Sequence, residues 1–451
     1  MTVISQLKRL GLFDSRVPRY TSYPTAPHFT GGVTPETTQS WIGALSPDDT
    51  ISVYVHIPFC RRLCWFCACR TQGTATAAPV AAYLGSVKTE LERVRAELPQ
   101  GVKIEHLHWG GGTPTLLQPE MISDLSEAIF DMAPMAEGAQ FSVEIDPNEI
   151  DSARLDALAG AGMNRASIGI QDFDAEIQET IGRPQSYEVT RAAVEGLRAR
   201  GIDSLNVDIL YGLPHQTERK ISESVQMLLS LNPDRVALFG YAHVPWMAKR
   251  QALIPTEALP EPEARLALFN TARDLFVWDG FAEIGIDHFA RPGDGLEVAW
   301  RNGTMRRNFQ GYTEDKSETL IGFGASAISK YRQGFAQNDP TTSGYQGKVR
   351  EGALATVRGH VFSEDDRLRG RIIELLLCDF AVDLKAVAAE LSVPEAVVLP
   401  LADGLEEAFP GMLRVLDSKV EIFERGRPLA RIMAKHFDAY EMSAAGHSHA
   451  V

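Results

Sequence analysis

The sequence predicts an α/β fold: a partial (β/α)6-type, TIM-like barrel with an N-terminal extension and a small, mostly helical C-terminal domain. Two patterns predict it. Short runs rich in Val, Ile and aromatic residues alternate regularly with longer stretches of helical apolar spacing, and each short run is closed by Gly, Pro, Asp or Gln. Length agrees, since 451 residues with 44% hydrophobic content suffice for a barrel and an appendage.

The expected strands are 51–57, 104–109, 140–145, 165–170, 204–210 and 235–239. Between them, 79–98, 119–132, 151–159, 186–200 and 218–231 carry apolar residues at helical spacing, with Pro, Ser or Asp near their starts. A further helix at 263–278 and a short strand at 283–288 follow. Beyond about residue 363 the pattern becomes helical at 369–380, 384–391 and 396–408, then gives a strand pair near 413–423 and a last helix at 428–440. The expected divisions are 1–45, 46–362 and 363–451.

Four of the five cysteines fall within Cys60-Arg61-Arg62-Leu63-Cys64-Trp65-Phe66-Cys67-Ala68-Cys69, directly after the first strand. Disulfide scaffolds spread cysteines through short secreted chains, so these thiols read as metal ligands or redox groups. Zinc is the weaker reading, because a structural zinc site clamps two separated knuckles and Cys378 stands alone. Iron–sulfur clusters use tight local runs, and C-x3-C-x2-C resembles the spacing of radical S-adenosylmethionine enzymes. Three protein ligands leave one iron open to a cofactor.

A net charge of −15 argues against a nucleic-acid partner. The sequence shows no signal-peptide pattern and no apolar run long enough to cross a bilayer. With an exposed thiolate loop, the expected location is the reducing cytoplasm.

In βα barrels chemistry gathers at the C-terminal ends of the strands, where the conspicuous residues fall. Gly110-Gly111-Gly112-Thr113-Pro114 follows the second strand and permits close approach of main chain to a ligand; it is no phosphate loop, lacking Gly-Lys-Ser/Thr. Glu144, Gln171 and Asp208 sit at or near the ends of three successive strands, an arrangement suited to a polar ligand, although each alone reads as a satisfied strand-end group. Arg183 is a loop cation or a carboxylate fork. Trp65 and Phe66 either cover the loop or stack on adenine. Cys69 is expected not to ligate, Cys378 reads as helix core, and His447 and His449 lie in a small-residue tail read as disordered.

Several segments together resemble the oxygen-independent coproporphyrinogen III oxidase family of the radical S-adenosylmethionine superfamily. They are Pro18-Arg19-Tyr20-Thr21-Ser22-Tyr23-Pro24-Thr25, Tyr54-Val55-His56-Ile57-Pro58-Phe59-Cys60, the cysteine run, and His108-Trp109 leading into the glycines. Asp208-Ile209-Leu210-Tyr211-Gly212-Leu213-Pro214, Tyr241-Ala242-His243, Ile286-Asp287-His288-Phe289-Ala290 and Arg307-Asn308-Phe309-Gln310-Gly311-Tyr312-Thr313 follow in order. The resemblance runs from about Val17 to Tyr440.

It implies a radical S-adenosylmethionine barrel, with residues 1–45 close to the substrate, that converts two propionates of coproporphyrinogen III to vinyl groups in haem biosynthesis. It further implies one [4Fe–4S] cluster on Cys60, Cys64 and Cys67, and two S-adenosylmethionine molecules. Tyr54, Gly111, Glu144 and Ile328 would contact the cluster-bound molecule; Phe66, Gly112, Thr113, Gln171, Arg183, Asp208 and Ala242 would contact the second. Cys69, Arg19, Tyr20, Gln310 and Tyr312 are catalytic or substrate candidates, and Arg301, Arg306 and Arg307 are further cations for four substrate carboxylates. Glu314-Asp315 sets two acids beside them, where relatives often carry Thr or another polar residue. The implied partners are the porphyrinogen and an electron donor such as flavodoxin or ferredoxin, with a monomeric chain. The alternative is a related haem chaperone, which lacks the Cys69 counterpart and the Pro-Arg-Tyr-Thr-Ser-Tyr-Pro segment; a zinc-stabilised binding module is a third reading.

Overall fold

The computed structural model describes residues 3–441; His447 and His449 lie outside the described residues. Twelve strands form the central sheet. They are β1 (Thr50–Ile57), β2 (Lys103–Gly111), β3 (Met135–Ile145), β4 (Arg165–Gln171), β5 (Ser204–Tyr211), β6 (Arg235–Gly240), β7 (Ala282–Ile284), β8 (His288–Ala290), β9 (Thr319–Phe323), β10 (Ile328–Tyr331), β11 (Gly334–Asn338) and β12 (Thr356–Val361). The order is β12-β11-β10-β9-β1-β2-β3-β4-β5-β6-β8-β7, so the two edge strands do not meet and the barrel is open.

β1 to β6 run parallel, as the alternating pattern requires. Their crossovers carry α1 (Ala78–Glu97), α2 (Pro119–Met132), α3 (Ser152–Gly160), α4 (Tyr187–Arg198) and α5 (Glu218–Ser230), and α6 (Pro262–Trp278) follows β6. Local chemistry sets the helix starts. Asp151, Ser186 and Thr217 accept the amides of Arg154, Val189 and Lys220 at the N-termini of α3, α4 and α5, while Pro stands in the first turn of α1, α2 and α6.

Several expectations need correction. β3 begins at Met135, five residues early, because an exposed stretch extends the strand below its buried half. The strand expected at 283–288 is two antiparallel strands, β7 and β8, folded about a turn at Gly285. β9 went unrecognised: it follows a loop instead of a helix, yet it pairs parallel to β1 and adds a seventh parallel strand. The helix expected at 396–408 is three short turns, Glu395–Val398, Leu399–Ala402 and Leu405–Ala408, interrupted where Pro400 lacks an amide and Gly404 adopts φ +76°. Only Ala430–Ala434 of the expected last helix is α-helical. Ala381–Asp383 joins the strand pair Leu413–Leu416 and Lys419–Ile422 as a third strand.

Period-two alternation divides the sheet's faces. Ile51, Val53, Val55 and Ile57, with Leu107, Trp109, Phe141, Val143, Ile168, Val207, Ile209, Val236 and Leu238, form one core with the helices. Each fully buried aliphatic side chain there contributes roughly 1.5–3 kcal/mol. The alternate residues face the barrel interior and are polar: Ser52, Tyr54, His56, His106, His108, Ser142, Glu144, Ser167, Asn206 and Asp208 line a cavity of about 420 Å³. A barrel meant only to pack would place aliphatic residues there.

At the N-terminal end of the strands this interior is plugged by ions. Arg235 pairs with Asp294 and, at 2.6 Å, with Glu314; Arg165 lies 3.7 Å from Asp294; Asp315 bonds Ser52 and stands 3.7 Å from His106. Glu314 and Asp315 are therefore taken up by internal partners.

A second core joins the N- and C-terminal parts of the chain. Leu7, Leu12, Phe13, Tyr20 and Tyr23 pack with Leu368, Ile372, Leu376 and Leu377 of α7 (Glu364–Asp379), whose start is a Ser363/Asp366 capping box. Cys378 is buried, as expected of helix core.

Candidate active site

The cysteine loop leaves the C-terminal end of β1 and is pinned on three sides. Trp65 N–H donates to Ile181 O, Thr74 N–H to Cys60 O, and Gln72 N–H to Pro58 O. Gly112 N–H donates to Ile57 O and Thr113 N–H to Phe59 O, both at 2.8 Å, which ties the glycine segment against the same loop. A Cβ on Gly112 would stand 2.6 Å from Phe59 O and 2.7 Å from Ile57 O, so this approach requires glycine.

Cys64 is buried, Cys60 and Cys67 are partly open, and Cys69 is exposed. Arg183 Nη1 donates to Cys64 Sγ at 3.4 Å, and Cys69 N–H donates to Cys67 Sγ at 3.4 Å. The two thiols share a hydrogen bond that pushes Cys67 down and Cys69 up. Three thiols on one short loop, met by a guanidinium and by N–H donors, fit an anionic thiolate-held cluster. Among the described residues no three His, Cys, Asp or Glu side chains converge on a single metal ion; thiolates that each hold a different iron need not converge.

Beside the loop, Glu144 Oε2 accepts Gly111 N–H at 3.0 Å and Oε1 lies 3.5 Å from His108 Nε2. Glu144 sits deep in the barrel mouth yet opens 43% of its side-chain surface to the cavity. Burial pushes its pKa up, but the His108 bond and charge and the Gly111 amide outweigh it and hold it below the usual range. Tyr54 OH meets His56 Nδ1 at 2.9 Å and its ring stacks on His108 at 5.8 Å. Burial lowers His56, which stays neutral while Nε2 meets Arg70 O at 3.1 Å. Gly111, at φ +109°, leaves the room that His56 occupies. Ile328 lines the same cavity from β10, as do Gln310 and Tyr312.

Across the mouth, Arg183 Nη2 donates to Gly169 O at 3.0 Å and Nη1 lies 3.6 Å from Asp146. Gln171 ends β4 at φ +69°, where the register slips against β5. Burial and the Glu144 charge push Asp208 up to about 6, against a bond from Asn206. Phe66 packs with Trp65 on Ile177, Ile181, Leu210 and Tyr241. Gln251 joins these groups: Nε2 donates to Phe66 O at 2.6 Å and Ala242 O at 3.1 Å, and Oε1 accepts Val244 N–H.

Other candidates fall elsewhere. Tyr20 OH donates to Asp438, and the Tyr312 hydroxyl donates to Leu377 O at 2.7 Å, so only the Tyr312 ring faces the cavity. Arg306 pairs with Glu374. Arg301 is a correction: 62% exposed, it pairs with Glu297 on a helix that starts at Asp294, at the end of the sheet opposite the cysteine loop. Arg19 Nη2 donates to Gly240 O at the end of β6, and Arg307 holds the main chain of Arg19 and Tyr20. Sequence reasoning missed His56, His108 and Gln251. The histidines alternate with Tyr54 and Gly110 on inward positions and were readable from that period; Gln251 carries no sequence signal.

Residues 54–228 match the family model of the radical SAM superfamily. The chain is 58% identical over 447 residues to the oxygen-independent coproporphyrinogen III oxidase of Paracoccus denitrificans, covering 99% of each. The chain belongs to the oxygen-independent coproporphyrinogen III oxidases. It is accordingly a radical S-adenosylmethionine oxidoreductase, and its superfamily uses a [4Fe–4S] cluster with S-adenosylmethionine. The family member from Escherichia coli is 37% identical over 429 residues, covering 94% of this chain and 93% of its own. The solved structure of coproporphyrinogen III oxidase from Escherichia coli, described as a radical SAM enzyme, superposes with a TM-score of 0.90 at 34% identity, covering 95% of this chain and all of that one. The haem-chaperone and zinc-module alternatives are thereby displaced as family readings. No helix among the described residues is long and apolar enough to cross a membrane.

Proposed function

We propose that this chain converts two propionate side chains of coproporphyrinogen III to vinyl groups without dioxygen, giving protoporphyrinogen IX. The observation that carries the reading is a convergence at the C-terminal ends of the strands: Glu144 and Asp208 line the barrel cavity, Glu144 holds Gly111 N–H, and the next two amides, of Gly112 and Thr113, tie the glycine segment to Ile57 and Phe59 at the base of the cysteine loop. When bound, the cluster and S-adenosylmethionine supply an adenosyl radical that removes one hydrogen atom from the propionate. Loss of carbon dioxide then leaves the vinyl group, and one electron passes to an acceptor.

Cys60, Cys64 and Cys67 would hold the cluster. Arg183 offsets thiolate charge at Cys64 through its N–H. Glu144, kept ionised and oriented by Gly111 N–H, suits the cationic amine of a methionyl group; Tyr54 and Ile328 wall the same space. We place a second S-adenosylmethionine against Phe66, Gly112, Thr113, Gln171, Arg183, Asp208 and Ala242. Gln310 and Tyr312 line the cavity as substrate contacts, and Cys69, exposed beside Cys67, is a further catalytic candidate. A small acidic or flavin carrier such as flavodoxin or ferredoxin would supply the electron to a monomeric chain.

Anaerobic reconstitution with iron and sulfide, reduction, and incubation with coproporphyrinogen III tests this. The expected products are protoporphyrinogen IX and one deoxyadenosine per propionate lost. A reconstituted, cluster-bearing protein that binds haem stably and releases no vinyl product would overturn it in favour of a chaperone.

A further inference from the structure

A second cavity, about 700 Å³, opens beside the first where the ends of β5 and β6 meet the N-terminal segment and the C-terminal part; Phe239 lines both. Its walls combine aromatic faces, among them Phe13, Tyr211, Tyr241 and Phe380, with an unusual concentration of arginine for a chain of net charge −15.

Two of the rim arginines are paired with carboxylates. Arg273 pairs with Glu283 at 3.0 Å and Glu424 at 3.1 Å, and Arg427 pairs with Glu283 at 3.2 Å. Three inner arginines are arranged differently. Arg19 donates to Gly240 O, Arg265 to Gly212 O and Tyr241 O, and Arg307 to Tyr20 O and Arg19 O. Main-chain carbonyls orient a guanidinium without cancelling its charge. Asp287, a carboxylate that lines the cavity near them, is bonded to His288 at 2.7 Å and offsets part of the Arg307 charge.

Arg265 Nε and Arg307 Nη1 are buried and have no hydrogen-bond partner, a state that is unfavourable unless a ligand completes it. Burial and the Arg19 charge push the Arg265 guanidinium down. A cluster held in this condition is built for anions.

We infer that Arg19, Arg265 and Arg307 form a carboxylate-binding site that takes the propionates of a tetrapyrrole not undergoing reaction, with the macrocycle against the aromatic walls of the 700 Å³ cavity. The inference rests on the proposed substrate class and assigns its anchoring groups. It places the macrocycle outside the barrel and directs one propionate past Phe239 toward the mouth of the first cavity.

The test is anaerobic fluorescence titration of the cluster-bearing protein with coproporphyrin III, and with its uncharged tetramethyl ester, alongside turnover of coproporphyrinogen III. Arg19→Gln and Arg265→Gln each weaken coproporphyrin binding by about tenfold or more, and the wild-type affinity falls with added salt. The ester binds all proteins alike, and Arg219→Gln, on the exposed face of α5, binds coproporphyrin as the wild type does. Arg265→Lys, which retains charge, recovers part of the affinity and guards against a folding defect. Wild-type turnover with unchanged affinity in both Gln variants overturns the site and leaves the decarboxylation standing. A wild type that neither binds coproporphyrin nor converts the porphyrinogen overturns both.

Discussion

Arg183 reaches back 119 residues along the chain to donate from Nη1 to Cys64 Sγ at 3.4 Å. Its Nη2 holds Gly169 O at the same time, so the guanidinium fixes the cysteine loop to the end of β4. Burial opposes its charge, but Asp146 and the Cys64 thiol restore it. Arg183→Gln is expected to keep the cluster's absorbance and lower turnover roughly 10- to 100-fold, the usual size for losing a partner of a metal-ligating group. Arg183→Lys should not rescue, because one ammonium on a flexible stem cannot span both acceptors. Equal turnover and an unchanged spectrum of the reduced cluster in Arg183→Gln would remove this role.

Gln251 satisfies two half-buried carbonyls, Phe66 O and Ala242 O, and one buried amide, Val244 N–H. Each buried main-chain group left without a partner costs about 1–3 kcal/mol. Gln251→Ala should therefore lower the melting temperature and, by releasing Phe66 from Ala242, raise the S-adenosylmethionine concentration needed for half-maximal turnover. Gln251→Glu discriminates, since a carboxylate keeps the Val244 bond and loses both donors; it should resemble Gln251→Ala in cofactor demand. Cofactor demand unchanged in both variants would count against the link.

The cysteines divide by role. Cys60→Ser, Cys64→Ser and Cys67→Ser each remove a thiolate and are expected to abolish the iron–sulfur absorbance after reconstitution. Cys69 is exposed and stands outside the C-x3-C-x2-C set, so Cys69→Ser should retain the absorbance while turnover falls. A Cys69→Ser protein that cannot assemble a cluster would show that the open iron corner has been misassigned.

Much of this was legible in the chain. β1 to β6 announced themselves because each has a strictly alternating or fully apolar outer face, and the helices because Asp151, Ser186 and Thr217 signal their own starts. The cysteine loop and glycine segment carry local spacing that sequence can encode. β9 was invisible since it is five residues long and owes its strand state to pairing with β1, a contact made 268 positions away at Ile51 and Thr319. Arg265 was missed for the same reason: a single arginine on an amphipathic helix looks solvated, and only the fold brings it against Tyr241 O. Arg301, by contrast, was selected for its charge and lies at the wrong end of the sheet, because charge alone carries no direction.

Glu314 offers a test of the plug beneath the cavity. Its own burial would raise its pKa, but the Arg235 charge, the 2.6 Å bond from Arg235 and the Arg165 charge hold it at about 2, against 4.5 for an ordinary glutamate. The folded protein thus binds this proton more weakly than the unfolded chain does. The stabilisation is complete above about pH 4.5 and is lost as pH falls toward 2. A shift of that size corresponds to roughly 3 kcal/mol. Glu314→Gln should forfeit a similar amount near neutral pH, since Arg165 and Arg235 are then left with Asp294 alone, and its denaturant midpoint should fall less steeply on acidification than that of the wild type. Because the plug lies at the opposite end of the strands from the cysteines, the variant should still assemble its cluster at neutral pH. Parallel acid profiles for the two proteins would mean that the ion pair contributes nothing to holding the barrel closed below the site.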